Sequence, residues 1–100
     1  MPCYSILAIT STTQDWMAAY VPVANATVAK HGGRYLARTS SHRQIEGNDQ
    51  PVQTRVIIEW PSRDAALRFM ADPDYAPHLA ARTAGSDRTD FLVDGIDDLR

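Results

Sequence analysis

Cysteine is almost missing from this chain of 100 residues, Cys3 being the only one. No intrachain disulfide can form, and no cysteine-based zinc set exists. An excess of one charge is missing too. Ten Lys and Arg stand against twelve Asp and Glu, a formal net charge of -2. No basic or acidic tail stands out, so neither a nucleic acid nor an anionic membrane is expected as a partner. No apolar run is long enough to span a bilayer. The first residues lack a basic segment followed by an apolar one, so no signal peptide is expected and the cytoplasm is the default compartment. Phosphate loop, nucleophile elbow and dinucleotide fingerprint are all absent. The three histidines, His31, His42 and His78, show no metal-ligand spacing. No metal and no cofactor are therefore expected.

What is present describes a small globular domain. The hydrophobic fraction is 44%, and a chain of this size forms one domain, here residues 1–100 with a loose, charged tail over 95–100. Cys3 to Thr10 and Thr54 to Trp60 carry apolar residues on both alternating faces, which suits central strands covered on two sides. Between them a helix is predicted over Gln14 to His31, with Thr12 and Asp15 as a capping box. Its inward stripe is Trp16, Ala19, Tyr20, Val23 and Thr27. Pro22 predicts a kink or a fresh first turn near Tyr20 to Val21. Gly32 is placed to close the helix in the left-handed conformation.

Arg34 to Arg38 reads as a second strand, continued by a ragged extension over Ser40 to Gly47, before a loop over Asn48 to Gln53. Ser62 caps a helix that runs to Ala71 with Ala65, Ala66, Phe69 and Met70 inward. Asp72-Pro73 starts a further short helix that ends at Gly85. Arg88 to Asp94 is the last strand. The order β-α-β-β-α-α-β is the ferredoxin-like split βαβ pattern, an α+β fold with a four-stranded antiparallel sheet. The first and third strands are then central and the second and fourth are edges, in keeping with the charges on Arg34, Arg38, Arg88, Asp90 and Asp94. Helices cover one sheet face. The other is also apolar, and the same face of a second copy is its expected cover, giving a homodimer.

The run Gly32-Gly33-Arg34-Tyr35-Leu36-Ala37-Arg38 resembles the hallmark of the uncharacterised bacterial family catalogued as domain of unknown function 1330. Ile45-Glu46-Gly47 resembles the family's Leu-Glu-Gly. Ile58-Glu59-Trp60-Pro61-Ser62 resembles its Glu-Phe-Pro-Ser step. Pro73-Asp74-Tyr75 with Arg82 resembles its Pro-Glu-Tyr and later arginine. The chain departs at Thr39 and Ser40, where the family has two glycines, and at Phe69-Met70, where it has Trp-Tyr. The resemblance implies a dimeric α/β barrel and no settled activity.

Chemistry is sparse. Arg38 closes a strand, and its guanidinium can fork onto a carboxylate, either a ligand's or that of Glu59. A ligand pocket is expected where Arg38, Tyr20, Trp60 and Tyr75 meet, close to Glu59, with Arg82 either joining it, pairing with an acid or facing solvent. Glu59 and His42 are the weak catalytic candidates, each without a positioned partner in the sequence. Two readings stay open. One is a cofactor-independent enzyme acting on a small organic acid or carbonyl compound, and the other is a non-catalytic ligand-binding or stress-associated dimer. A titratable residue in an apolar pocket favours the first, and purely aromatic walls the second. RNA binding on the open sheet is disfavoured because the third strand lacks a basic-aromatic signature.

Overall fold

The computed structural model describes residues 1–100. In chain order the elements are β1 (Cys3–Ser11), α1 (Met17–Lys30), β2 (Arg34–Thr39), β3 (Thr54–Trp60), α2 (Arg63–Met70), α3 (Ala76–Ala84) and β4 (Ser86–Asp94). The sheet order is β2-β3-β1-β4 with every neighbour antiparallel. The two apolar runs are the central strands and the charged ones are edges, as the sequence predicts. The helices lie on one face, where Cys3 and Leu7 of β1 and Val56, Ile58 and Trp60 of β3 join Ala24 and Val28 of α1 and Ala65, Ala66 and Phe69 of α2 in a single core.

The turn from α1 into β2 shows why two glycines sit together. Gly32 has φ +79°, a backbone that side chains with a Cβ rarely adopt. Its N–H donates to the Ala29 carbonyl at 3.0 Å and that of Gly33 donates to the Val28 carbonyl at 2.9 Å, closing the helix. Gly33 answers a different need. A Cβ there would lie 2.6 Å from Cζ3 of Trp60, so the missing side chain lets the buried indole pack under the turn. Trp60 donates from Nε1 to Ser5 Oγ at 2.8 Å, satisfying the polar end of a residue only 1% exposed.

Several local expectations need correction. Thr12 and Asp15 form no capping box: the Thr13 hydroxyl accepts from Asp15 N–H at 3.1 Å, and α1 starts at Met17 after Trp16. The helix runs through Pro22 without a fresh start. Its buried residues are Ala24, Thr27 and Val28, while Ala19 faces solvent and Trp16, Tyr20 and Val23 are half-buried. Segment 40–53 holds no strand. Gln44 instead organises it as a loop, donating to the Glu46 and Asn48 carbonyls and accepting from Gln50 N–H. Ser62 caps α2 as predicted, its Oγ accepting from Ala65 N–H at 3.1 Å. Asp72 to Tyr75 form a turn, and α3 begins only at Ala76. Asp72 accepts from Asp74 N–H at 2.9 Å.

Opposite the helices, Tyr4 and Ile6 of β1 stand in register with Val93 and Phe91 of β4, and Ile6 also with Ile57 of β3. Phe91 is 65% and Val93 45% exposed. Glu59 lies on this same face, paired to Arg34 at 2.9 Å, with the Tyr4 hydroxyl donating to its other oxygen at 3.5 Å.

Candidate functional site

Between the helix-facing side of the sheet and the helices lies a cavity of about 130 Å³. Leu7, Ile9, Val56 and Ile58 form its floor and Trp16, Tyr20, Tyr35, Phe69 and Tyr75 its walls, with Arg38, Arg82 and Asp90 as its charged groups. The volume is close to that of a roughly 150 Å³ protein cavity that holds benzene, so a single ring or a short chain is the natural size of occupant.

Aromatic rings line up from core to cavity. Trp60 and Phe69 lie 5.1 Å apart, Phe69 and Tyr75 4.3 Å, Tyr75 and Tyr20 5.8 Å, and Tyr20 and Trp16 5.1 Å. The hydroxyls of Tyr20 and Tyr75 meet at 2.6 Å, and Arg82 Nη1 donates to the Tyr20 oxygen at 3.1 Å. Burial and the neighbouring Tyr20 push the Tyr75 phenol well above its ordinary value, so it stays a neutral O–H donor across the physiological range. Burial also pushes the Tyr35 phenol up.

Arg82 is the unusual member. It is 4% exposed, it has no carboxylate partner, and its Nε–H has no acceptor. Its placement follows from α3, whose inward stripe carries Tyr75 at the cap, Leu79 and then Arg82. An arginine at that spacing on an apolar stripe is the signal that marks it in the sequence. On the facing strand Asp90 stands in register with Leu7 and turns to the helix side. Its carboxylate makes no hydrogen bond or ion pair, and burial raises it above its ordinary value, with Arg82 pulling the other way. Sequence reasoning missed Asp90 because Phe91, Leu92 and Val93 are apolar without alternation, which hides the face of their neighbour.

The expected site residues divide. Tyr20, Tyr75, Arg38 and Arg82 come together around the cavity. Trp60 does not: it is sealed in the core behind Phe69. Glu59 does not either. A β-bulge between Tyr35 and Ala37 places Tyr35 against Ile58 and Arg38 against Val56, both on the helix side. Glu59 is on the opposite face with Arg34, so the expected approach of Arg38 to Glu59 is replaced by the Arg34–Glu59 pair. Arg38 instead donates to Asn25 Oδ1 at 2.7 Å and stacks 3.8 Å over the Tyr35 ring, at the rim. Arg82 neither pairs with an acid nor faces solvent. His42 sits in the exposed loop, His31 bonds Asp72 at 2.7 Å, and His78 lies on α3, far from any shared site. No group of three or more His, Cys, Asp or Glu side chains is arranged to hold a metal ion, and no helix is long and apolar enough to cross a membrane.

Sheet order and element order define a ferredoxin-like α+β protein of the kind found among the dimeric α/β barrels. The sequence pattern described as Domain of unknown function (DUF1330) matches residues 2–96, and the chain belongs to that family. Solved structures share the fold. A protein of unknown function from Rhodopseudomonas palustris, RPA0582, superposes with a TM-score of 0.78 at 18% identity, over 96% of this chain and 83% of that one. SnoaB, a cofactor-independent oxygenase from Streptomyces nogalater, gives 0.64 at 22% identity over 98% and 96%. Rv0793 from Mycobacterium tuberculosis gives 0.55 at 15% identity over the whole of both chains. No curated protein matches the sequence at a significant level.

Proposed function

We propose that this protein binds a small organic acid or carbonyl compound in the cavity, with the ligand's anionic or carbonyl oxygen on Arg82 and its carbon skeleton against the aromatic wall. The observation that carries this reading is the buried guanidinium without a counter-anion. A buried unpaired charge is strongly unfavourable, and a ligand oxygen supplies what the fold leaves out. Arg38 at the rim adds a second positive charge on the path inward. Asp90, a titratable group beside apolar side chains, favours the enzymatic form of this reading over the purely binding one. The SnoaB likeness supports a fold that accommodates cofactor-independent chemistry.

The protein acts as a homodimer through the open sheet face, where exposed Phe91 and Val93 flank Ile6 and Ile57. Such an interface buries at least roughly 1,200 Å². Light scattering at micromolar concentration then reads a dimer in the parent and a monomer in Phe91→Asp. A monomeric parent ends the dimer proposal.

Calorimetric titration with benzoate and levulinate, against benzamide and the amide of levulinate, tests the binding reading. The acids are expected to bind more tightly than the amides, and Arg82→Met is expected to remove the difference. Equal binding of acids and amides, or binding unchanged in Arg82→Met, overturns it.

A further inference from the structure

Building on the binding reading above, we propose that Asp90 is a general base that removes a proton from the carbon next to a ketone, while the Tyr20–Tyr75–Arg82 cluster holds the ketone oxygen. The substrate class is a small ketone or keto acid of one ring or a short chain.

The placement carries the argument. Asp90 and Arg82 line one cavity, yet no ion pair joins them. Opposite charges that share an enclosed space without touching leave room for a molecule between them. Asp90 projects from β4 opposite Leu7, while Arg82 and the two phenols project from α3, the turn before it and α1. Base and oxygen-binding donors therefore approach a ligand from different sides, as removal of a proton next to a carbonyl requires. The cluster offers hydrogen-bond donors: guanidinium N–H groups, one of them without an acceptor, and a phenol held neutral. Asp90 has no partner of its own to neutralise it, and burial among apolar groups makes its carboxylate a better proton acceptor than one in water.

The step balances within the protein and its substrate. An Asp90 oxygen forms a bond to the α-hydrogen, and the carbon–hydrogen pair becomes the carbon–carbon double bond of the enolate. The carbonyl π pair moves onto oxygen, where the Arg82 and phenol donors stabilise it. Asp90 then returns the proton, to the same carbon or, in an unsaturated substrate, to the γ-carbon, which releases an isomer. No electron acceptor enters and no group is lost.

The test is deuterium wash-in followed by proton NMR, with cyclohexanone and levulinate as probes and full-length protein in deuterated buffer. The parent is expected to erase the α-hydrogen signals of at least one probe faster than buffer alone. Asp90→Asn is expected to slow that exchange by about 100-fold or more, while calorimetric binding of the probe persists. Asp90→Glu is expected to recover part of the rate. Asp90→Ser provides a second variant if the amide fails to fold. Exchange no faster than buffer with either probe overturns the assignment, as does parent-like exchange in Asp90→Asn. If a probe binds in an Arg82-dependent way without exchanging, the base assignment falls and the binding reading stands. If no probe binds or exchanges, both fall.

Discussion

Asp72 and Arg82 are equally buried, each 4% exposed, and their surroundings are opposite. Asp72 sits in the turn between α2 and α3, where one oxygen accepts from Lys30 Nζ at 2.9 Å and His31 Nε2 at 2.7 Å. Its other oxygen accepts from Asp74 N–H. It thereby ties the end of α1 to the turn, beside the basic end of that helix. Arg82 has one neutral acceptor, no counter-charge and one orphaned N–H. A fold that surrounds one buried charge with partners and leaves another without them has used the first for structure and kept the second for something that arrives from outside.

The sharpest way to break the comparison is to remove both charges in turn. Asp72→Asn is expected to lower the melting temperature by several degrees, because Lys30 and His31 lose their shared anion. Arg82→Met is expected to leave the melting temperature unchanged or raise it, since it deletes a charge that nothing balances. The same variant should lose at least about tenfold in affinity for benzoate or levulinate, in line with a charged hydrogen bond of about 1.5–3 kcal/mol. If both variants destabilise alike, the contrast between the two sites collapses.

Acid titration sharpens it. Hydrogen bonds from Lys30, His31 and Asp74 hold the Asp72 carboxyl well below its ordinary value of 3.8. A carboxylate lowered in the folded state contributes stability that is present above the ordinary value and lost as pH falls through the lowered one. Melting curves of the parent should therefore decline below about pH 4, and Asp72→Asn should flatten that decline. Asp94, also held low by Arg63, keeps part of it. An unaltered acid limb in Asp72→Asn would show that the clasp contributes nothing.

Smaller effects come from the polar neighbours of Arg82. Tyr20→Phe removes the oxygen that accepts from Nη1 and should cost roughly 1–2 kcal/mol in denaturant unfolding. Arg38→Met should cost least, about two- to threefold in ligand affinity and little stability, because its guanidinium is held at the surface by Asn25 and Tyr35. Titration calorimetry that ranks Arg38→Met above Arg82→Met would move the site to the rim.

The elements were largely legible before any coordinates. Unbroken apolar runs at Cys3 to Thr10 and Thr54 to Trp60, the glycine pair closing α1 and the capping serine at Ser62 each follow from local chemistry. The site was legible as residue types only. Tyr20, Tyr75, Arg38 and Arg82 were nameable, but Glu59 and Trp60 were drawn in with them and Asp90 was missed. A two-residue alternation assigns faces only while register is unbroken, and the bulge at Leu36 breaks it.

Sequence by itself determined the order of the elements, the central and edge strands, the left-handed closure at Gly32 and the family. These depend on periodicity, backbone preference and residue pattern, all carried by neighbours along the chain. Only the tertiary structure decided that Arg34 takes Glu59, that Arg38 turns to the cavity rim, that Asp72 gathers three donors, and that Arg82 and Asp90 face one space without meeting. Partnership between charges depends on which strands and helices pack together and on a single-residue shift in register, and that information exists only once the chain has closed on itself.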